Sequence, residues 1–233
     1  MLKNYFKTAF RSLTRNRNYT IINIAGLAVG IAVCMMIFII IQYQTSFDNF
    51  HSNKDRIYRV VMEYHFPNSE KIAYWKDVPF SMPKRLRTAF PQFDQVAPVY
   101  ESHNDQLLIP GDNGTIIKTF KEDQGVFFTD PSFFKMFDFP LLAGSYGSLK
   151  DPGNVLLTKE TAEKYFGDWR SAMGKTIKLQ EGGFMFEHGT EVLKVSGILA
   201  TISSNTDFQL KLAVSFETES YMANYTDWNG STA

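Results

Sequence analysis

Gly174-Lys175-Thr176 ends the way a phosphate-binding loop ends. Such a loop cradles phosphate in backbone amides and needs a second glycine five residues before Gly174. Trp169 stands at that position and is too bulky to let the backbone wrap an anion. The segment continues as Thr176-Ile-Lys-Leu179, which reads as a strand rather than as a helix whose N-terminus could hold a phosphate. Nucleotide binding is therefore not expected here. His51, His65, His103 and His188 stand at no recognised metal-ligand spacing from one another, from a cysteine or from a carboxylate, and are read as surface or structural residues. Ser145 lies in Gly144-Ser-Tyr-Gly147, one residue short of the G-x-S-x-G nucleophile elbow. The carboxylates are scattered and select no acid–base pair. Glycosylation-type Asn-x-Ser/Thr triplets at Asn18, Asn113, Asn224 and Asn229 are near chance frequency. No catalytic, cofactor-binding or metal-binding residue is expected.

The physical weight of the chain lies elsewhere. Ile21 to Ile41 contains no charged residue, and only Asn23 and two glycines interrupt its apolar character. A helix over this run spans roughly 30 Å, the thickness of a bilayer hydrocarbon core. Lys3, Lys7, Arg11, Arg15 and Arg17 precede it with no acidic residue among them. Basic flanks stay on the cytoplasmic side, so the remainder is expected outside the cytoplasm. A cleaved signal peptide would have a shorter apolar core and small residues at a cleavage site. Here Gln42-Tyr-Gln-Thr-Ser-Phe47 follows instead, and the helix is expected to be retained.

The whole chain balances 24 basic against 24 acidic residues, but the first twenty residues carry +5 and the rest −5. An acidic outer portion argues against a nucleic-acid partner. The single cysteine, Cys34, sits in the apolar run, so the outer portion has neither disulfide nor thiol chemistry and must be held by packing. It is rich in aromatics, the chain having 21 Phe and 11 Tyr.

These features divide the chain into three parts. Residues 1–20 form a basic amphipathic segment, with Leu2, Tyr5, Phe6, Ala9, Phe10 and Leu13 on one helical face and Lys3, Lys7, Arg11 and Arg15 on the other. That pattern suits a helix lying on an anionic cytoplasmic leaflet. Residues 21–43 form the transmembrane helix, in which Gly26-x-x-x-Gly30 offers a close-approach face to a second helix. Residues 44–233 form an extracytoplasmic α+β domain of short strands and a few helices. Strands are expected over 57–66, 71–78, 96–101, 106–109, 115–121, 154–157, 176–180, 191–199 and 208–216. Helices are expected over 80–90, 131–137 and 159–166, the last capped by Thr158 and closed by Gly167. The final residues, Asn224 to Ala233, read like a chain cut before its last strand.

Ser46-Phe-Asp-Asn-Phe-His51 followed by Asp55-Arg-Ile-Tyr-Arg-Val60 closely resembles the junction between first membrane helix and periplasmic domain in MacB/FtsX-type ABC-transporter permeases. Leu2-Lys-Asn-Tyr-Phe-Lys7, Ile22-Asn-Ile-Ala-Gly-Leu-Ala-Val-Gly30, Phe133-Phe-Lys-Met-Phe137, Leu141-Leu-Ala-Gly144, Val155 to Gly167, Gly174-Lys-Thr176 and Val195-Ser-Gly-Ile198 fit the same family in order. The departure is Ile202-Ser-Ser-Asn-Thr-Asp207, where the family often has a proline-containing turn with Asn-Ser-His. The resemblance implies an inner-membrane permease that is itself no enzyme and has no cofactor, working with a separate cytoplasmic ATP-binding subunit, a second permease copy or homologue, and a periplasmic adaptor or lipoprotein. It would transmit ATP-driven motion outward, with Phe47, Asp48, Phe50, His51, Arg56, Tyr58 and Arg59 as the coupling junction. In that junction Phe47, Phe50 and Tyr58 are expected to pack on the domain and Asp48 to pair with Arg56 or Arg59. An alternative is a membrane-anchored binding or sensor module, which would show a second membrane helix leading to a signalling domain.

Overall fold

A computed structural model describes residues 2–15, 17–66, 69–111, 113–180, 182 and 189–218. Two units divide at residue 47. The first consists of α1 (Leu2–Arg15) and α2 (Arg17–Thr45). On α1 the rings of Tyr5, Phe6 and Phe10 are fully presented to the surroundings, about 70% exposed or more. The side chains of Leu2, Lys3 and Ala9 lie outside the described ones. Thr20 Oγ1 on α2 donates to the Leu13 carbonyl of α1 at 3.0 Å. The 29 residues of α2 run four positions before and two beyond the expected 21–43 span, and none of them is buried. A helix apolar on all sides with no protein cover needs an apolar solvent.

The second unit begins at Asp48 and contains eleven strands among the described residues. β1 (Met62–His65) and β2 (Ile72–Trp75) pair antiparallel as a separate ribbon, Met62 opposite Trp75 and His65 opposite Ile72. The alternating pattern suggests strands over 57–66 and 71–78; only the parts nearest the turn pair, and most of the ribbon's residues are exposed. Pro67 and Asn68 of its turn lie outside the described residues. α3 (Met82–Ala89) takes Pro83 in its first turn, where a missing N–H costs nothing.

The remaining strands are β3 (Val99–Ser102), β4 (Asp105–Pro110), β5 (Ile116–Glu122), β6 (Val126–Thr129), β7 (Leu141–Gly144), β8 (Asn154–Thr158), β9 (Thr176–Gln180), β10 (Thr190–Leu199) and β11 (Leu212–Ser215). They form one mixed sheet in the order β3-β6-β11-β8-β10-β9-β4-β5. β10 is long enough to serve two neighbours on one edge: β9 pairs with its first half and β7 with Gly197 to Leu199. At that second pairing Gly144 has a φ of 87°, and a Cβ there would sit 2.1 Å from the Ser196 carbonyl oxygen. Only glycine permits so close an approach. β6 and β7 were not expected. β6 reads Val-Phe-Phe-Thr, a continuous apolar run whose period decides nothing.

Both faces of the central strands are covered, which is why their sequences do not alternate. On one face Val126, Phe128, Val155, Leu157, Leu212 and Val214 pack with α5 (Lys159–Phe166), whose Ala162 and Tyr165 are buried. On the other, Phe127, Leu156 and Ala213 meet α4 (Phe133–Met136) and the loops beside it. α5 is built as expected: Thr158 Oγ1 accepts from the Thr161 amide and Gly167 closes it at φ 84°. The fold is the α+β class read from the sequence.

Candidate functional site

The second core is a nest of phenylalanines. Phe133 has ring centroids of Phe137, Phe139 and Phe208 within 4.8, 5.7 and 5.1 Å, and Phe137 and Phe208 lie 4.7 Å apart. Into this nest the first residues of the domain insert one polar side chain, His51, which is 2% exposed. Its ring is flanked by Phe50 at 4.0 Å, Phe137 at 5.1 Å and Phe139 at 5.2 Å.

The segment 48–53 is fastened to two loops. On one side Asp48 engages the turn after β10. Its amide donates to the Asn205 carbonyl at 3.1 Å, its carboxylate accepts the Thr206 hydroxyl, and its second oxygen accepts the Asp207 amide at 3.2 Å. Asp48 holds a positive φ of 54°, which turns its side chain back onto that loop. On the other side the segment engages the loop after α4. The Asp138 amide donates to His51 Nδ1 at 2.9 Å, the Ser52 amide donates to the Asp138 carboxylate, and the Asn53 amide group donates to the Lys135 carbonyl at 3.3 Å. The hydrogen bonds from Ser52 hold the Asp138 carboxyl below the usual carboxylate range, against a smaller opposing effect of burial. We call this double attachment the clasp.

Because Nδ1 accepts, the neutral ring carries its proton on Nε2, 3.4 Å from Asp48 Oδ1 without a formed hydrogen bond. Burial pushes the His51 pKa below its ordinary value, outweighing the nearby carboxylates of Asp48 and Asp138. A ring so fixed is no free metal ligand, and no cluster of three or more His, Cys, Asp or Glu spaced for a metal occurs among the described residues.

The expected junction residues therefore part company. Asp48, Phe50 and His51 meet in the clasp; Phe50 is 42% exposed but stacks its inner side on His51 and Phe139. Asp48 takes Thr206 and the 207 amide as partners instead of an arginine. Arg56 pairs with Asp94 at 2.5 Å on the surface, and Arg59 is exposed. Tyr58 is 84% exposed, and the strand expected around it begins only at Met62. Phe47 belongs to the first unit, its ring edge-on to Tyr43 at 5.2 Å. Gly26 and Gly30 lie on an open stretch of α2, with nothing within 4 Å of a Cβ built at either.

The chemistry-bearing residues singled out first have structural employment. The Gly174 amide donates to the Val195 carbonyl at 2.8 Å and the Lys175 carbonyl accepts from Val195 at 2.9 Å, so this turn is stitched to β10 instead of opening toward an anion. Ser145 Oγ accepts from the Gly147 amide at 3.1 Å and starts a single turn. His65 pairs with Glu63 at 2.7 Å on the exposed ribbon, and His103 is exposed. His188, Asn224 and Asn229 lie outside the described residues.

Two buried carboxylates were not singled out by sequence. Glu122, at the end of β5, accepts from Lys164, from Lys211 at 2.8 Å and from the Tyr165 hydroxyl at 3.0 Å. Burial works to raise its pKa, but the two ammonium groups and the phenol outweigh it and hold the carboxyl below its usual range. A recess of about 410 Å³ opens beside it, lined by Thr161, Lys164, Ser203, Gln209 and Lys211. Asp105 is fully buried at the β3–β4 turn and accepts from Ser102 at 2.7 Å and from the Gly182 amide at 3.2 Å; burial raises its pKa.

Comparison with known proteins bears on what this architecture is for. Residues 20–231 match the family described as the MacB-like periplasmic core domain. Among solved structures, a domain of a protein provisionally classed as a permease, from Porphyromonas gingivalis, aligns at a TM-score of 0.50 and 18% identity. The alignment covers 69% of this chain and 62% of that one, so the chain spans less than two thirds of its neighbour's length. At that identity the likeness speaks for the fold. No curated protein matches the sequence.

Proposed function

The chain belongs to the MacB-like periplasmic core domain family, and from that premise we propose that it works as part of a permease subunit of an ABC transporter of the MacB/FtsX type. The observation that carries the reading is the family match itself, which extends over the domain and includes the apolar helix ahead of it. In this reading residues 1–20 lie on the cytoplasmic face of the cell membrane, 21–43 cross it, and 44–233 stand in the periplasm. The five basic residues before the span, with no acidic one, support that orientation. ATP is hydrolysed by a separate cytoplasmic subunit, and no residue of this chain is catalytic. A second permease copy or a homologue meets α2 along the open Gly26–Gly30 face, and a periplasmic adaptor or lipoprotein receives the motion.

The clasp gives the coupling its material. Residues 48–53 follow α2 after Ser46 and Phe47 and are fastened to the turn after β10 and to the loop after α4, so a displacement of the chain at residue 47 would pull on two loops of the domain instead of on a slack tether. Asp48, Phe50 and His51 carry the attachment. Phe47, Arg56, Tyr58 and Arg59 then serve as exposed or flanking positions around it. A flexible Gly-Ser stretch inserted after Ser46 in the assembled transporter tests this. Transport is expected to be lost while ATP hydrolysis by the partner and the fold of the domain persist. Unchanged transport with a long insertion would refute coupling through this segment.

A further inference from the structure

The clasp holds a titratable group whose protonation its own geometry opposes. His51 Nδ1 accepts the Asp138 amide proton at 2.9 Å, a bond available only to an unprotonated nitrogen. Adding a proton there sets N–H against N–H at the same distance, in a site 2% exposed and walled by Phe50, Phe137 and Phe139. The groups that could welcome the charge are already engaged. Asp48, on the same segment, accepts the Thr206 hydroxyl and the Asp207 amide and sets Oδ1 3.4 Å from Nε2, the nitrogen that already carries the proton of the neutral ring. Asp138, on the loop after α4, accepts from the Ser52 amide. Asp207, on the turn after β10, takes part through its backbone amide. Neither carboxylate replaces the Asp138 amide at Nδ1, so a proton placed there breaks that bond.

We propose that His51 makes the clasp an acid-sensitive latch: the neutral ring binds segment 48–53 to the loop after α4, and protonation at Nδ1 releases that loop while the core sheet stays folded. The inference concerns the domain alone and stands whether or not the chain acts in a transporter. Its sign follows from burial. The folded-state pKa lies below the ordinary value of about 6.5, so the latch is at full strength above that value and weakens as pH falls through the folded pKa. The nearby carboxylates of Asp48 and Asp138 pull the other way, and desolvation outweighs them.

The test uses the whole chain in a nonionic detergent. Hydrogen exchange is followed by mass spectrometry at pH 7.5 and pH 5, with rates corrected for the intrinsic pH dependence of exchange. Peptides covering 48–53 and 134–139 are expected to exchange severalfold faster at pH 5, while β8 and β11 keep their protection. His51→Gln, whose amide oxygen can still accept from Asp138 but does not titrate, is expected to abolish that difference. Selective ¹⁵N labelling of histidine reads the same group directly, with an unprotonated Nδ1 at neutral pH and a titration midpoint below that of free histidine. Protection at 134–139 that does not change with pH, a pH effect that persists in His51→Gln, or a midpoint at or above the free value overturns the latch. If His51→Gln loses protection throughout the domain, the wild-type exchange and the ¹⁵N midpoint decide the matter.

Discussion

Asp48 is the residue whose removal says most about the clasp. Its carboxylate, 26% exposed, accepts the Thr206 hydroxyl and the Asp207 amide, and its backbone sits at φ 54°. Hydrogen bonds to a charged acceptor contribute about 1.5–3 kcal/mol each when shielded, and partial exposure discounts the pair to about 2–4 kcal/mol. The left-handed backbone costs a residue with a Cβ about 1 kcal/mol, less for Asp and Asn than for Ala and nothing for Gly. Asp48→Ala should therefore lose about 3–5 kcal/mol, Asp48→Gly about 1 kcal/mol less, and Asp48→Asn about 1 kcal/mol in all, since it keeps a carbonyl acceptor and tolerates the backbone. Urea unfolding of the domain in the detergent-solubilised chain measures the series, and exchange of the Asp207 amide localises it. Equal stability of Asp48→Gly and wild type would refute the role of the carboxylate. Equal losses in Asp48→Ala and Asp48→Gly would refute the backbone part.

Other expectations follow from particular contacts. Gly144→Ala must push β7 off β10, because its Cβ would lie 2.1 Å from the Ser196 oxygen at φ 87°; a loss of about 3–5 kcal/mol in the unfolding free energy is expected, and a normal midpoint would contradict the strand pairing. Glu122→Ala leaves the buried Tyr165 hydroxyl without its acceptor and should cost about 2–4 kcal/mol at pH 7. The Glu122 carboxyl is held below its ordinary value, so its contribution is whole above the unfolded pKa and fades as pH falls through the folded one. Glu122→Gln should accordingly flatten the acid limb of the stability curve, and an unchanged limb would count against the cluster. A reporter active only outside the cytoplasm, fused at Gly111, should be active; silence there, with activity from a fusion at residue 1, would invert the proposed orientation.

What could be read from sequence was whatever depends on neighbours in the chain. The apolar helix, α5 with its Thr158 and Gly167 caps, and the β9–β10 pair are local statements of length, capping and alternation. β6 escaped because a four-residue run buried on both faces has no period to detect, and β7 because four residues, half-buried and exposed in turn, are too short a run to read. The clasp escaped for another reason. His51 meets Asp138 across 87 residues and Asp48 meets Thr206 across 158, and no pattern in either segment names the other. The resemblance around Ser46 to His51 implied other contacts for this segment: among the described residues Asp48 pairs with Thr206 and the Asp207 amide and with no arginine, and Tyr58 is exposed.

The sheet order has a consequence for how the domain comes into being. Among the described strands β11 comes latest in the chain, yet it lies inside the sheet, joining β6 of the β3–β6 pair to β8 of the block formed by β8, β10, β9, β4 and β5. Before Leu212–Ser215 is added, the β6 edge at Phe128 and the β8 edge at Val155 lack the strand that joins them. Both edges are open together only in the short interval after Leu199 and before Leu212, when β10 has completed the block and β11 has yet to close the gap.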